Sequence, residues 1–518
     1  MTVSTSSIDD LIRNKNPFVG HLVVRPSQIW GKSFPDVPSI NAHASNAVFD
    51  AVEKVHQGQR ETVGITITAE KGLGKSHIIS RIRHRLQAED NALFIYMSKY
   101  DDLNQIKYQF LQTVASSLRA IGSQSVMQWQ EIAAALINEA KQWSYTPETY
   151  ISHIYPNLLS KYSTKGVDKL TELVLQTKHE ITNPYLVKAI LWTLSSAHAN
   201  YANYWLSGLE LTQAQAETMG LPNPKTEDRE AEALKTARQI LEIISNYRVP
   251  VICFDELDIV DIADNGFTAA QAIASLAKDL YNSLKGGVLL LAMYLDTWNF
   301  QIRSLPQAEA VIDRLVSEQP DRQPIELRYL NSDDIVAVVR QWLQEFYEEN
   351  KQTPPHPLYP FYETKLRELG KSKPTVRSVL KWCADNFFVP GSPLPIIDEP
   401  PRIETNAVEP YLQSELANVD ASINDLFEDE AEIANALWFA FYSLIGETVE
   451  GIKIEDIQEV EASAADQGFI DFKIVGNKGK VKIGVDVIQQ TGGRGVGAAL
   501  GRLIEYKKFD FTRGLIQT

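Results

Sequence analysis

Short, continuously apolar runs alternate with longer amphipathic stretches through the first two thirds of the chain. Residues 63–68, 92–97, 249–254 and 287–293 read as strands covered on both faces, because a strand packed between two layers of helices loses the in–out alternation of a half-exposed one. A shorter candidate strand spans 323–327. The intervening stretches carry apolar residues at helical spacing. One such helix covers 42–56, with Ala47, Val48, Ala51, Val52 and Val55 on one face. Others are expected over 77–86, 103–121, 126–143, 167–179, 185–199, 231–247, 269–284, 332–347 and 362–388. This order predicts an α/β fold with a parallel sheet. The second and third strands lie much further apart than one β–α–β unit requires, so a helical insertion over about 115–230 is expected. No internal repeat is visible in it.

The pattern changes after residue 388. Six prolines (Pro390, Pro393, Pro395, Pro400, Pro401 and Pro410) mark a linker, followed by an acidic amphipathic stretch over 411–432. An apolar helix over 434–446 starts a new core. A hairpin of strands 468–474 and 481–488 and a helix over 496–508 complete a small α/β pattern. The expected division is a lead-in over 1–60, an α/β core over 61–330, a helical lid over 331–390, a linker over 391–432 and a terminal domain over 433–518.

Composition narrows the class. The chain has 518 residues, 44% hydrophobic and 22% charged, which suits an ordinary globular protein of several domains. No apolar run approaches the ~18 residues of a membrane span. The first residues are polar and lack an apolar signal core, so a cytoplasmic location with no membrane partner is expected. Cys253 and Cys383 sit inside apolar patterns and read as buried thiols. The net charge of −16 excludes a surface that is basic all over, but its distribution is uneven. Residues 396–450 hold thirteen acidic residues against one basic, whereas 469–518 hold nine basic against four acidic. A polyanion partner is therefore expected at the C-terminal end.

The first apolar strand runs into Ala69-Glu70-Lys71-Gly72-Leu73-Gly74-Lys75-Ser76, which opens a helix at His77. Glycines in such a loop turn backbone N–H groups toward phosphate oxygens, and the helix N-terminus adds partial positive charge. Lys75 is placed to reach the β- and γ-phosphates of a nucleotide and Ser76 to hold Mg²⁺, with Ala69, Gly72, Leu73, Gly74 and His77 lining the same turn. Ala69 stands where the usual pattern has a first glycine. The strand 249–254 ends in Asp255-Glu256, 180 positions after Lys75 (255 − 75). Asp255 can bind Mg²⁺ through water, and Glu256 can polarise a water that attacks the γ-phosphate. Asp296 or Thr297, after the strand 287–293, is a candidate polar sensor of that phosphate. Pro374-Thr375-Val376-Arg377 puts a cation near a helix start, an unfavourable place unless an anion is near.

These residues resemble the AAA+ superfamily: 69–76 is similar to Walker A and 251–256 to Walker B. Arg377 lies where the origin-recognition and STAND-like branches carry the lid arginine, and Arg314 where such families often place a finger toward a neighbouring subunit. The resemblance implies a helical, winged-helix-like lid, ATP with Mg²⁺, and self-association. Tyr204-Trp205-Leu206-Ser207-Gly208 with Met219-Gly220-Leu221, and Trp298 after the fourth strand, resemble an element of BREX-type phage-exclusion ATPases, which implies antiviral defence with DNA or a defence-system protein as partner. The terminal domain resembles the PD-(D/E)xK nuclease fold. Asp471 and Asp486 would be its strand acids and Glu447 or Glu450 its helix acid, while 499–506 resembles the Gln-x-x-x-Tyr helix. It departs from that pattern at Ile488, where the lysine belongs, with Gln489 next, and at Arg502 in place of the helix glutamine. An active nuclease, a degenerate one that binds DNA or a partner, and an unrelated α/β domain all remain open.

The leading expectation is an ATP-hydrolysing AAA+ protein that couples turnover to DNA recognition or remodelling. The alternatives are a STAND-type nucleotide switch that recruits a protein, and an ATP-controlled nuclease.

Overall fold

Five strands form the sheet that places the glycine-rich loop: β1 (Thr62–Ala69), β2 (Ala92–Met97), β3 (Val249–Phe254), β4 (Gly287–Tyr294) and β5 (Ile325–Glu326). All neighbouring pairs are parallel, in the order β2-β3-β4-β1-β5. β4 thus lies between β1 and β3, and its register runs from Thr62↔Gly287 to Ala69↔Tyr294. The computed structural model describes residues 8–19, 26–32, 34–223, 229–259, 261–319, 321–389, 430–449, 452–458, 472–477, 479–487 and 513–517, and the chain divides into two units, Met1–Ser392 and Pro393–Thr518.

Alternation along each strand supplies two cores, one per face. Ile65, Ile67, Phe94, Tyr96, Val251, Cys253, Leu290 and Ala292 pack with helices Ala42–His56 and Lys75–Glu89. Leu93, Ile95, Ile252, Phe254, Leu289 and Leu291 face the other way into a larger core. That core continues without a break into the insertion between β2 and β3, whose helices include Ile106–Ser117, Gln128–Lys141, Thr164–Thr177, Pro184–Trp192 and Arg229–Ser245. Its largest buried side chains are Trp129, Trp192, Tyr150 and Tyr155. The insertion therefore shares the core of the sheet rather than forming its own.

On this face β1 presents Gly64, Thr66 and Thr68, where the helix Ala308–Leu315 ends. A Cβ at Gly64 would lie 1.7 Å from the Arg314 carbonyl oxygen, so only glycine allows this approach. The lid follows β5 and comprises Ser332–Glu349, Glu363–Leu369 and Val376–Asp385. Asn331 caps the first of these by accepting the N–H groups of Asp333 and Asp334. The lead-in divides between two cores: Ala42–His56 packs on the sheet, whereas Leu11, Ile12 and Phe18 enter the lid core beside Trp342 and Phe361.

Two elements differ from expectation. The helix foreseen over 185–199 breaks into Pro184–Trp192 and Ala199–Leu206, because the 193–198 segment folds into turns closed by the Thr193 hydroxyl on the Ile190 carbonyl (2.6 Å). Within the helical region over 362–388 a new helix starts after Lys373 (φ 49°) and Pro374, where the sequence placed a helix start. The strand over 323–327 shrinks to Ile325–Glu326. The lid is helical, but residues 331–389 contain no strand among the described residues, so it has no wing there.

The second unit has the helix Glu430–Ser443 and the sheet β10-β9-β8-β7-β6, made of β6 (Thr448–Val449), β7 (Ile452–Gln458), β8 (Phe472–Gly476), β9 (Val481–Val487) and β10 (Arg513–Gln517). The expected hairpin is β8–β9, antiparallel from Phe472↔Val485 to Gly476↔Val481. β10 adds in parallel to β9, and β7 antiparallel to β8, so the sheet is wider than the hairpin foretold. The proline-rich linker, most of the 411–432 stretch and the 496–508 helix lie outside the described residues.

Candidate active site

Ala69 ends β1 in extended conformation, paired with Tyr294, and the turn begins only after it. The left-handed conformations fall on Gly72 (φ 85°) and Gly74 (φ 99°), both glycine, so alanine at 69 costs the loop nothing. Leu73 is buried under the loop. The helix Lys75–Glu89 starts directly at Lys75 and turns its N-terminal N–H groups toward the loop.

Lys75 and Ser76 each meet a carboxylate from the segment after β3. The Ser76 hydroxyl donates to Asp255 Oδ2 (3.3 Å), which also accepts the Tyr96 hydroxyl (3.0 Å). The Tyr100 hydroxyl donates to the Asp255 carbonyl oxygen (2.7 Å). Asp255 is completely buried, and its Oδ1 has no hydrogen-bond partner. Burial raises its pKa against the opposing pull of the Glu256 backbone N–H, Lys75, Tyr96 and Ser76. A buried carboxylate oxygen without a partner, one residue pair from a serine hydroxyl, fits a divalent cation bound through Ser76 and Asp255. Among the described residues no group of three His, Cys, Asp or Glu side chains could hold a metal by itself, so such a cation would need ligand or water oxygens as well.

Lys75 Nζ lies 2.8 Å from Asp258 Oδ2 and 3.5 Å from the centroid of the Tyr294 ring. Burial lowers the lysine's pKa, and Asp258 is the largest opposing influence. The second oxygen of Asp258 accepts the Tyr294 N–H (2.7 Å) and the Thr297 hydroxyl (2.7 Å). Asp258 thus ties the glycine-rich loop to the end of β4. Sequence reasoning missed it, as it did Tyr96, Tyr100 and Tyr294; the one available signal was a third acid in Asp255-Glu256-Leu257-Asp258.

Of the two sensor candidates, Thr297 is buried and joined to this network, whereas Asp296 is exposed. Glu256 adopts φ 55°, a backbone conformation unusual for a residue with a side chain, and is exposed beside Asp255. His77 turns away from the loop, with Nε2 2.9 Å from Asp36 Oδ1 in the lead-in, and Arg81 donates to the same carboxylate. The lid reaches the loop directly. The Arg377 N–H donates to the Gly72 carbonyl oxygen (3.3 Å), and Thr375 caps the helix that carries it. Arg377 Nε is buried without a hydrogen-bond partner. Arg314 stays apart: its backbone lies against Gly64, and its guanidinium donates to Asn282 Oδ1 and to the Ala310 carbonyl oxygen (both 2.7 Å).

Two grooves lie on the first unit, neither lined by the loop itself. One of about 760 Å³ is lined by His43, Glu326, Tyr329, Asn331 and Lys373, with the Tyr329 hydroxyl donating to Glu70. The other, about 530 Å³, is lined by Phe34, Asp36, His77, Arg81 and His84.

In the insertion, Trp205 Nε1 donates to the Pro222 carbonyl oxygen (2.7 Å) and Trp192 Nε1 to that of Met219 (3.0 Å), closing 192–222 on itself. Trp298 is buried beneath the end of β4. In the second unit, Glu450, Asp471 and Gln489 lie outside the described residues. Asp486 belongs to β9, its backbone paired with Ile516, and its side chain lies outside the description. Glu447 is exposed. No helix among the described residues is long and apolar enough to cross a membrane. Compared with known proteins, the chain matches no family model and no curated sequence.

Proposed function

We propose that the first unit binds ATP with Mg²⁺ and hydrolyses it. One observation carries this reading: Lys75 and Ser76 of the glycine-rich loop meet the acids that follow β3, beneath a lid whose arginine contacts the loop. In the proposed reaction the loop N–H groups and Lys75 hold the phosphates, and Arg377, whose Nε has no partner, turns to the γ-phosphate. Ser76 and the unpartnered Oδ1 of Asp255 would hold the cation, which would supply positive charge against that of the phosphates. Glu256 orients the attacking water, and Thr297 reads the terminal phosphate through the end of β4. The groove at His43 and Tyr329, beside the loop and lid, has room for a nucleobase.

Glu256→Gln tests the assignment, because it removes the water-positioning charge while keeping the length of the side chain. Nucleotide binding should persist while turnover falls by a factor of about 10²–10⁴; hydrolysis at the wild-type rate would refute the role of Glu256.

We propose further that turnover serves recognition or remodelling of DNA in antiviral defence, with DNA taken by the basic C-terminal region, residues 469–518. The nine basic against four acidic residues over 469–518 support the DNA part, and the defence role rests on the resemblance of the 204–221 element.

A further inference from the structure

Asp258 is used more fully than a structural carboxylate needs to be. One oxygen faces Lys75 at 2.8 Å, and the other accepts both the Tyr294 N–H and the Thr297 hydroxyl at 2.7 Å. The Lys75 and Asp258 side chains are only 12% and 11% exposed, and the Tyr294 ring covers the ammonium at 3.5 Å. The lysine proposed to bind phosphate is thus committed to an internal anion. Its position is fixed from two directions by β4 and the turn after it. At low effective dielectric a phosphate and a carboxylate repel strongly when both approach one ammonium. A phosphate can therefore engage Lys75 only by displacing Asp258 from it.

Resting on the reading of this loop as a nucleotide site, we infer that Asp258 is a built-in competitor of phosphate: it holds Lys75 until a ligand with a β-phosphate displaces it, and so sets the affinity threshold for di- and triphosphates while leaving monophosphates, which do not reach Lys75, unaffected. The same exchange moves the carboxylate oxygen to which the Thr297 hydroxyl and the Tyr294 N–H both donate, so the turn after β4 registers the displacement. This turn is the π-helix Thr297–Ile302, which exposes Phe300 to 73%. Such one-turn π segments frequently occur at functional sites.

Asp258→Asn is the discriminating variant, because the amide oxygen still accepts from Tyr294 and Thr297 while the charge facing Lys75 is gone. Affinities of the full chain for ATP, ADP and AMP would be measured in EDTA, so that no cation bridges Asp258 to phosphate, alongside thermal unfolding. A site held in the closed pairing nine-tenths of the time loses about tenfold in apparent affinity. The variant should accordingly bind ATP and ADP about tenfold more tightly, with AMP unchanged. Asp258→Ser, also neutral, should shift in the same sense and serves if the first variant does not fold. Unchanged or weaker ATP and ADP binding by a folded variant, with the wild type binding both, would overturn the competition and leave the nucleotide site standing. An equal gain for AMP would also overturn it, since that signifies general loosening. A wild-type chain with no affinity for any of the three would overturn the nucleotide site and the competition together.

Discussion

The two sheets carry their acids differently. In the parallel sheet Asp255 and Asp258 stand just beyond the end of β3, where the chain is released from the ladder and free to turn. In the second sheet Asp486 lies inside β9, held to the alternation of a strand. Beyond a strand end, side chains from distant segments can converge: Lys75, Asp255, Asp258, Thr297 and the Arg377 backbone meet around one loop though spread over 302 positions (377 − 75). Inside a strand, an acid can only meet what the register sets beside it. The described register ends at Phe472↔Val485, one step short of Asp471. A site built at strand ends tolerates insertions between its parts, and here a whole helical layer separates β2 from β3.

The largest effect is expected at the second unit: if it takes DNA through about six phosphate contacts, affinity should fall by about 10³ between 50 and 200 mM salt. Binding that is flat over this range, followed by electrophoretic shift, would remove the functional contrast between the sheets. A smaller effect is expected at Gly72, where a Cβ would lie 3.1 Å from Thr375 Oγ1 and the backbone has φ 85°. Gly72→Ala should cost about 1–3 kcal/mol of stability and weaken ATP binding, read by thermal unfolding and titration, since loop and lid would be pushed apart.

The smallest effect concerns pH. Burial pushes Asp36 upward, but the hydrogen bonds from His77 and Arg81 outweigh it and bring its pKa down to about 2. A carboxylate held below its unfolded value stabilises the fold above about pH 4, and this contribution disappears as pH falls toward 2. It is worth roughly 1–2 kcal/mol after screening at this partly exposed site. Asp36→Asn should be less stable than wild type in urea at pH 7 and approach it near pH 2; a constant difference across that range would show that Asp36 acts through packing alone.

Much of the first unit was legible because its strands are unbroken apolar runs. β2 and β3 match their expected bounds, and β1 and β4 lie within one residue of theirs. Ser76 and Asp255 were legible because loop and strand-end chemistry is local. Asp258 was not, since its role depends on how Leu257 tucks into the core and turns the next side chain back toward Lys75, which no periodicity records. His77 was assigned to the loop by adjacency, yet one position along a helix rotates a side chain by about 100°, and it faces Asp36 instead. Of the strands that escaped notice, β6 is only two residues long, and in β7 the register shifts between Ile454 and Asp456, so its buried Ile454 and Ile457 fall three positions apart instead of two.

A triphosphate held in the loop after β1 would be gripped by Lys75. In isothermal titration of the full chain with ATP and Mg²⁺, the wild type should then bind saturably and Lys75→Ala should lose at least about a hundredfold, equivalent to some 2.7 kcal/mol. Equal affinity in the two proteins, with both folded, would contradict it.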